Sequence, residues 1–432
     1  MLKILINAYA CSPNMGSEPG MAWHWVSHLA RHCELHVITE GEFREQIEAV
    51  VPTLPQGRNL HFHYNPVSEE IRRMCWNQGD WRFYKYYRQW QWKTYLMAKE
   101  LCQTEHIDIL HQLNMIGFRE PGYLWRLSQE TGVPFVWGPI GGLKQFPTAY
   151  LQDTGVKMRL FMRLKNLLNI LQLKYSRRVD EALRSASLLI SSIPDSRRAI
   201  KKYKGLETVI IPETGCSVKE IPSTERFDQA DFHVLWVGKF DFRKQLGLAL
   251  QAIAAAQNRR IVLDVYGTGT VRQTETMKAK AVELGIARQV VWHGGQPHAV
   301  VQETMRTAQL FLFTSVSEDT STVVLEAVSN GLPVVCFDAC GMAHVINERV
   351  GRKLPLTTPE QSVLDFANTL NELEQDRKKL KEMSENCKQE QLKWSWDRKA
   401  DKMKGMYQIV IKGSTPPYEC NVKRVLNTRL AA

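Results

Sequence analysis

The chain has 432 residues, of which 44% are hydrophobic and 23% charged, a globular balance sized for two or three domains. No apolar run approaches the ~20 residues of a membrane-spanning helix, and Met1-Leu-Lys-Ile-Leu-Ile-Asn reads as a first β-strand, without the apolar core and cleavage site of a signal peptide. The nine cysteines show no ligand-like pairing, because no second pair joins Cys336 and Cys340 to complete a zinc site; no metal and a reducing cytoplasm are therefore expected, while the +11 formal charge points to a polyanionic partner or surface.

Short apolar runs alternate with helical patterns. Strands are predicted at Leu2–Tyr9, Glu34–Thr39, Leu60–Tyr64, Ile107–His111, Val133–Gly138, Ala186–Ser191 and Thr208–Pro212. A second series follows at Phe232–Val237, Ile261–Tyr266, Val290–Trp292, Leu310–Phe313 and Pro333–Phe337. Most are rich in Val, Ile, Leu and Phe without strict alternation, as strands buried on both faces of a parallel sheet are. Strand–helix alternation predicts βαβ units, and two series predict two doubly wound α/β domains. The boundary is expected between Ile211 and Phe232, giving domains at 1–220 and 221–394. A segment at 395–432, ending in a polar tail, is expected to return to the first domain. The dense mixed charge of Glu372–Glu390 reads as a solvated helix face.

Ligands of such sheets bind beyond the carboxyl ends of the strands, so the loops there are where chemistry is sought. After the first strand comes Cys11-Ser-Pro-Asn-Met-Gly16-Ser17-Glu18-Pro19-Gly20, with Ser17 a candidate N-cap and amides suited to an oxyanion or a sugar hydroxyl. An ordinary βα turn explains this loop equally well. Val237-Gly238-Lys239-Phe-Asp-Phe-Arg243-Lys244 sets three cations beside a strand end, fit to neutralise a departing diphosphate or simply to be a solvated basic turn. Asp264-Val-Tyr266-Gly267-Thr268-Gly269 is a tight Gly-rich turn that lets a backbone approach a nucleotide. In Thr314-Ser-Val-Ser-Glu318-Asp-Thr320-Ser321-Thr322, the hydroxyls line a helix start, where unpaired N–H groups hold phosphate. Glu326 follows within the first turns of that helix, which stops at Asn330-Gly331 before Pro333. Two carboxylates flanking a phosphate cradle can each chelate a hydroxyl pair, one on a sugar and one on a ribose; a Glu326 that merely suits a helix N-terminus and a Glu318 that is merely exposed explain the pair equally well.

Glu318 and Glu326 form an E-x7-E pair, and A-x-x-x-G-x-P-V-V follows. This resembles the signature of family-four retaining glycosyltransferases, which have the GT-B fold. Gly238-Lys239 with Lys244 resembles that family's G-R/K-x4-K, Asp264-Val-Tyr-Gly-Thr-Gly its strand-turn, and Ile211-Pro212-Glu-Thr-Gly215 its I-P-N-G-V-D hinge. The matches come in family order and span most of the chain. The resemblance implies transfer of a sugar from a nucleotide-diphosphate sugar to a hydroxyl of a glycan or lipid-linked glycan, with retention. Glu318 would bind donor-sugar hydroxyls, Glu326 the ribose, and Lys239 and Lys244 the diphosphate, with Gly16 near the phosphates and acceptor. Gly238, Arg243, Gly267, Gly269, Thr320, Ser321 and Thr322 would line the nucleotide site. No cofactor or metal is implied; electrostatic support takes the place of a protein nucleophile.

Three departures stand out. Glu318-Asp319-Thr320-Ser321 replaces the usual E-G-F-G. His111-Gln112-Leu113-Asn114 replaces H-x-H, so His111 matches the first histidine while Asn114 would take over from the second; His111 reads equally as a buried structural residue. Val136-Trp137-Gly138-Pro139-Ile140-Gly141-Gly142 replaces the usual T-x-H-G. A GT-B epimerase or phosphorylase, or a non-catalytic sugar-nucleotide binder, remains the alternative. Two further segments join aromatic or apolar residues to cations: Trp76–Tyr95, with Arg82, Lys85, Arg88 and Lys93, and Val156–Tyr175, with Lys157, Arg159, Arg163, Lys165 and Lys174. They suit an anionic membrane surface, and helix packing in a core explains them as well. No nucleic-acid module accompanies them.

Overall fold

Apolar runs of four to seven residues that bury both faces are stable as strands only inside a covered parallel sheet. The computed structural model describes residues 1–77, 80–152 and 154–413, and in it those runs build two such sheets, one in each of two compact units.

Among the described residues the first unit comprises Met1–Leu143, Leu168–Glu213 and Trp396–Gly413. Its strands are β1 (Leu2–Ala8), β2 (Cys33–Thr39), β3 (Leu60–Tyr64), β4 (Ile109–Asn114), β5 (Phe135–Ile140), β6 (Leu188–Ser191) and β7 (Val209–Ile210). They pair in parallel in the order β3-β2-β1-β4-β5-β6-β7. Ile4, Ile6 and Val37 pack on one face with Trp25 and Leu29 of helix Ser17–Leu29. Leu5, Ile38 and Leu110 pack on the other with Tyr95 and Ala98 of helix Phe83–Thr104. Helix Trp396–Ile411 lies on helix Ser17–Leu29, where Trp396 stacks on His24 with centroids 4.9 Å apart and Arg31 pairs with Asp397.

The second unit comprises Lys144–Leu167 and Thr214–Ser395. Its strands β8 (Phe232–Val237), β9 (Ile261–Tyr266), β10 (Val290–Gly294), β11 (Leu310–Phe313), β12 (Val334–Phe337) and β13 (Gly351–Leu354) run in the order β10-β9-β8-β11-β12-β13. Strand order reverses between β8 and β11, and the loops leaving those two strands meet at their carboxyl ends, where Val316 N donates to Arg243 O at 2.9 Å. That is the switch point where such sheets bind ligands.

Several expectations need correction. β13 was not predicted because Gly351-Arg-Lys-Leu is an edge strand with one strongly buried residue. β4 continues to Asn114, which puts His111 inside the sheet rather than at its rim. Gly16, not Ser17, is the N-cap of the first helix, and Ser17 enters it with φ +55°. The charged stretch Glu372–Glu390 is two helices, Pro359–Gln375 and Arg377–Lys393, which meet at Asp376. The second buries Leu380, Met383 and Cys387, so only one of its faces is solvated. Lys144–Leu167 groups with the second unit, although 1–220 was assigned whole to the first. The predicted polar tail from residue 414 on lies outside the described residues. Among the described residues no helix is long and apolar enough to cross a membrane.

Candidate functional site

The carboxyl edge of the second sheet is organised by backbone contacts that only glycine permits. Gly267, just after β9, has φ +150°, and a Cβ there would stand 1.7 Å from the Gly238 carbonyl oxygen. The β9 turn is thus pressed against the β8 turn, and Gly238 N donates to Tyr266 O at 3.0 Å. A Cβ on Gly269 would meet Phe240 Cβ at 2.8 Å. These glycines shape the turn; they build the floor on which the basic loop rests.

That loop doubles back after β8. Asp241 accepts from the backbone N–H of Arg243 and Lys244 and holds the Arg243 guanidinium, with Nη2 at 2.6 Å. Burial raises the Asp241 carboxyl, but the Arg243 hydrogen bond and charge outweigh it, and the group sits below its ordinary value. Arg243 is therefore an internal brace of the loop. Lys244 instead points to the β11 loop: its Nζ lies 2.6 Å from Glu318 Oε1 and 5.1 Å from the centroid of Phe313. Glu318 Oε1 also accepts from Ser315 Oγ at 2.8 Å. Lys239 is exposed at the rim.

The β11 loop is clasped from the far side. Thr320 and Ser321 are buried, and a Cβ on Gly341 would strike Thr320. Glu318 N faces Cys340 Sγ at 3.4 Å. Lys144 donates to Val316 O at 2.6 Å and contacts Cys340 Sγ. Ser321 then takes the N-cap position of helix Thr322–Ser329 without a side-chain capping hydrogen bond, its carbonyl accepting from Val324 N at 3.1 Å, at the end where a helix leaves amides to be satisfied from outside. Thr322 Oγ1 is 3.3 Å from Thr214 Oγ1. On the second turn, Glu326 Oε1 lies 3.1 Å from His298 Nε2. That hydrogen bond, helped by the carboxylate charge, raises the His298 pKa above its ordinary value. Beside it, Tyr266 stacks on His293 with centroids 4.2 Å apart, and Asp264 bridges His293 and His233 at 2.8 Å each.

The second unit thus brings together Lys244, Glu318, Gly238, Gly267, Gly269, Thr320, Ser321, Thr322 and Glu326 around the ends of β8, β9 and β11. Ser315, Cys340, Lys144 and His298 were missed. Their positions depend on chain returns that no local pattern announces; only Pro297-His298 at a helix start carried a signal.

Three candidates fall in the first unit. His111 is fully buried: Nε2 lies 2.7 Å from the Gly138 carbonyl, so it carries the proton, and Nδ1 accepts from the Tyr407 hydroxyl at 2.6 Å. Burial pushes its pKa down to about 4. Its ring has no nitrogen left for a substrate, which corrects its assignment as catalytic. Asn114 is also buried, donating to Ala10 O at 2.8 Å and accepting from Ala10 N at 3.4 Å. It ties the first loop to β4, and its amide is committed there rather than to a sugar. Gly16 is exposed, with open space around a built Cβ; the tight position in its loop is Gly20, where a Cβ would meet Met15 O at 2.0 Å.

Residues 217–390 match the family model described as Glycosyl transferases group 1. Among curated proteins, the chain is 32% identical over 156 residues to lipopolysaccharide 1,6-galactosyltransferase of Salmonella typhimurium, covering 35% of this chain and 41% of that one. It is 28% identical over 190 residues to D-inositol 3-phosphate glycosyltransferase of Gordonia bronchialis, covering 42% and 41%. The matched segments thus span about two-fifths of these relatives' length. Among solved structures, Anabaena Alr3699/HepE in complex with UDP superposes with a TM-score of 0.60 at 14% identity, covering 94% of this chain and all of that one. WaaG, a glycosyltransferase involved in lipopolysaccharide biosynthesis, gives 0.56 at 18%, covering 94% and 99%. The fold is therefore that of the GT-B glycosyltransferases, two Rossmann-like units with parallel sheets.

Proposed function

We propose that the protein is a glycosyltransferase that moves a sugar from a nucleotide-diphosphate sugar to a hydroxyl of a glycan or lipid-linked glycan, with retention. The observation that carries this is the contact of Lys244 with Glu318 at the β8/β11 switch point, with Glu326 one helix turn beyond. Glu318 holds donor-sugar hydroxyls and Glu326 the ribose. The diphosphate lies at the start of helix Thr322–Ser329, under Lys239 and Lys244. As the sugar–phosphate bond breaks, negative charge grows on the departing diphosphate. Preformed ammonium groups and helix amides stabilise that charge more in the transition state than in the bound donor. In this reading no metal is needed. The solved HepE complexes contain UDP and, in one, UDP with glucose, which makes uridine nucleotides the first to test.

The test is a thermal-shift screen of nucleoside diphosphates, followed by measurement of nucleoside diphosphate release from nucleotide sugars with and without acceptor. Stabilisation by one nucleotide and release of it from its sugar conjugate are expected. A protein that binds a nucleotide sugar and never releases its sugar is a non-catalytic binder. One that carries the absorbance of lysine-bound pyridoxal phosphate is a phosphorylase.

A second reading concerns place. Helix Val156–Tyr175 turns its apolar side outward: Leu160, Phe161, Leu164, Leu167 and Leu168 are each at least half exposed. Exposed Lys157, Arg163 and Lys165 lie among them. Apolar area plus cations is the composition of an interfacial helix, so the protein works at the cytoplasmic face of a membrane, beside a lipid-linked acceptor. In the other segment, Phe83, Tyr87 and Trp90 are core residues packed on Tyr9, while Trp81 and Tyr84 are exposed. That segment is chiefly structural.

A further inference from the structure

Strand register gathers a group of donors on the first sheet, at the opposite end of its strands from the loops considered above. His36 of β2 is the register partner of His61 of the edge strand β3. Glu34, two residues before His36, shares its face. Glu34 Oε1 stands 3.4 Å from His61 Nε2 and 3.7 Å from His36 Nε2, and the three donor atoms all lie within 4.8 Å of one another. His36 is 5% exposed, and its Nε2 is a buried atom with no hydrogen-bond partner. At 3.7 Å the carboxylate is too far to serve it.

We propose that Glu34, His36 and His61 form a binding site for a divalent transition metal, best suited to zinc, that clips β3 to β2. Zinc bonds of roughly 2.0–2.2 Å in a tetrahedron separate donor atoms by about 3.3–3.6 Å, close to the spacing found around Glu34. Two imidazoles and one carboxylate are a suitable donor set, with water in the fourth position. His36 Nδ1 lies 3.2 Å from His63 Nε2. Donation from Nδ1 to His63 leaves the lone pair on Nε2, aimed at Glu34 and His61, which is the outer partner a metal-bound histidine usually has. Lys3 Nζ contacts Glu34 at 3.2 Å but Glu105 at 2.6 Å, so Lys3 keeps a carboxylate when the metal takes Glu34. Cysteine spacing gave no sign of this site, because its donors meet only through strand pairing.

The full-length protein, stripped with chelator and dialysed, is titrated with zinc chloride by calorimetry and with cobalt chloride by visible absorption. One equivalent of zinc and the d–d bands of four-coordinate cobalt are expected. His61→Ala, at a half-exposed position, and Glu34→Gln should each abolish both signals. His63→Ala should weaken zinc by roughly 10–100-fold. His106→Ala, whose side chain is 89% exposed, should change nothing. Circular dichroism and melting establish that each variant is folded; if Glu34→Gln unfolds, His61→Ala decides. A wild type that takes up no zinc, or zinc binding that survives His61→Ala in the folded protein, overturns the proposal.

Discussion

Lys244 and Glu318 meet at 2.6 Å, an ammonium on the loop after β8 against a carboxylate on the loop after β11, both largely sequestered from solvent. The pair links the group assigned to the diphosphate with the one assigned to the sugar. A bound diphosphate would draw Lys244 toward phosphate and leave Glu318 free to accept from sugar hydroxyls. The contact is a preformed state of the site rather than a stability device, since one bridge of this kind at partial exposure contributes little.

Substituting Lys244 by alanine is expected to lower turnover ~100-fold, the usual consequence of removing one preorganised donor to a developing anion. Lys239→Ala should do the same. A combined Lys244→Ala/Glu318→Gln variant should lose less than the product of the single losses, because the two act as a unit. Turnover is read as nucleoside diphosphate release, and activity should persist in excess chelator. Complete loss in chelator, restored by magnesium or manganese, would assign the charge to a metal.

Glu326→Ala should cost charged hydrogen bonds to the ribose of roughly 1.5–3 kcal/mol, or about 10- to 150-fold in nucleoside diphosphate affinity by calorimetry. His298 adds a pH dependence. Its pKa is raised by the Glu326 hydrogen bond, so the charged imidazole holds Glu326 below that raised value and releases it above. Nucleotide affinity should therefore increase as pH climbs through and beyond the ordinary histidine range, and His298→Ala should flatten the profile. Affinity that falls with rising pH would contradict this arrangement.

His111 predicts a stability effect instead. Burial holds its folded pKa at about 4 against an ordinary 6.5. The unfolded chain therefore takes up a proton that the folded chain refuses once pH falls below 6.5. Stability should drop by about 2 kcal/mol between pH 7 and pH 5, levelling off below the folded pKa. His111→Leu removes this slope. It also leaves the Tyr407 hydroxyl and Gly138 carbonyl without their partner, costing about 1–3 kcal/mol each at pH 7. Urea midpoints of both proteins at the two pH values test the pair of effects. An unchanged slope in the variant would place the proton elsewhere, for example on His24, also lowered to about 4 by burial.

The sheets were legible because strands such as Leu310–Phe313 and Val334–Phe337 hide both faces, and an unbroken apolar run says so. β13 was not, since an edge strand needs no such run. Glu318 and Glu326 were legible for a related reason: loop, helix start and glycine stop occur in one continuous stretch. His298 and Cys340 come from other loops, and their approach to Glu326 and Glu318 is decided by strand order. His111 stayed open between a functional and a buried structural reading because a polar residue at the end of an apolar run looks like a rim residue. Only the contacts of Tyr407 and Gly138, distant in sequence, make it a satisfied core histidine.

Helix Val156–Tyr175 carries the prediction about place. Met162 and Leu173 are buried, whereas Val156, Leu160, Phe161, Leu164, Leu167, Leu168 and Tyr175 are exposed, so its larger apolar stripe faces outward at helical spacing. Each basic residue near an anionic leaflet contributes ~1 kcal/mol, so several cations above an apolar stripe suffice for reversible docking. Arg159 is a poor choice for the test, because its guanidinium bonds the carbonyls of Leu151 and Thr154 and braces the preceding turn. Lys157, Arg163 and Lys165 are therefore changed together to glutamate, and Leu160 and Phe161 together to serine in a second variant. Co-sedimentation of the wild type should require liposomes containing anionic lipid and weaken with salt as the screening length shortens. The charge-reversed variant should stay in the supernatant, and the serine variant should bind less at every salt concentration, while nucleotide binding is retained in both. A wild type that never sediments would mean that the outward stripe meets a protein surface and that the acceptor is reached without a membrane.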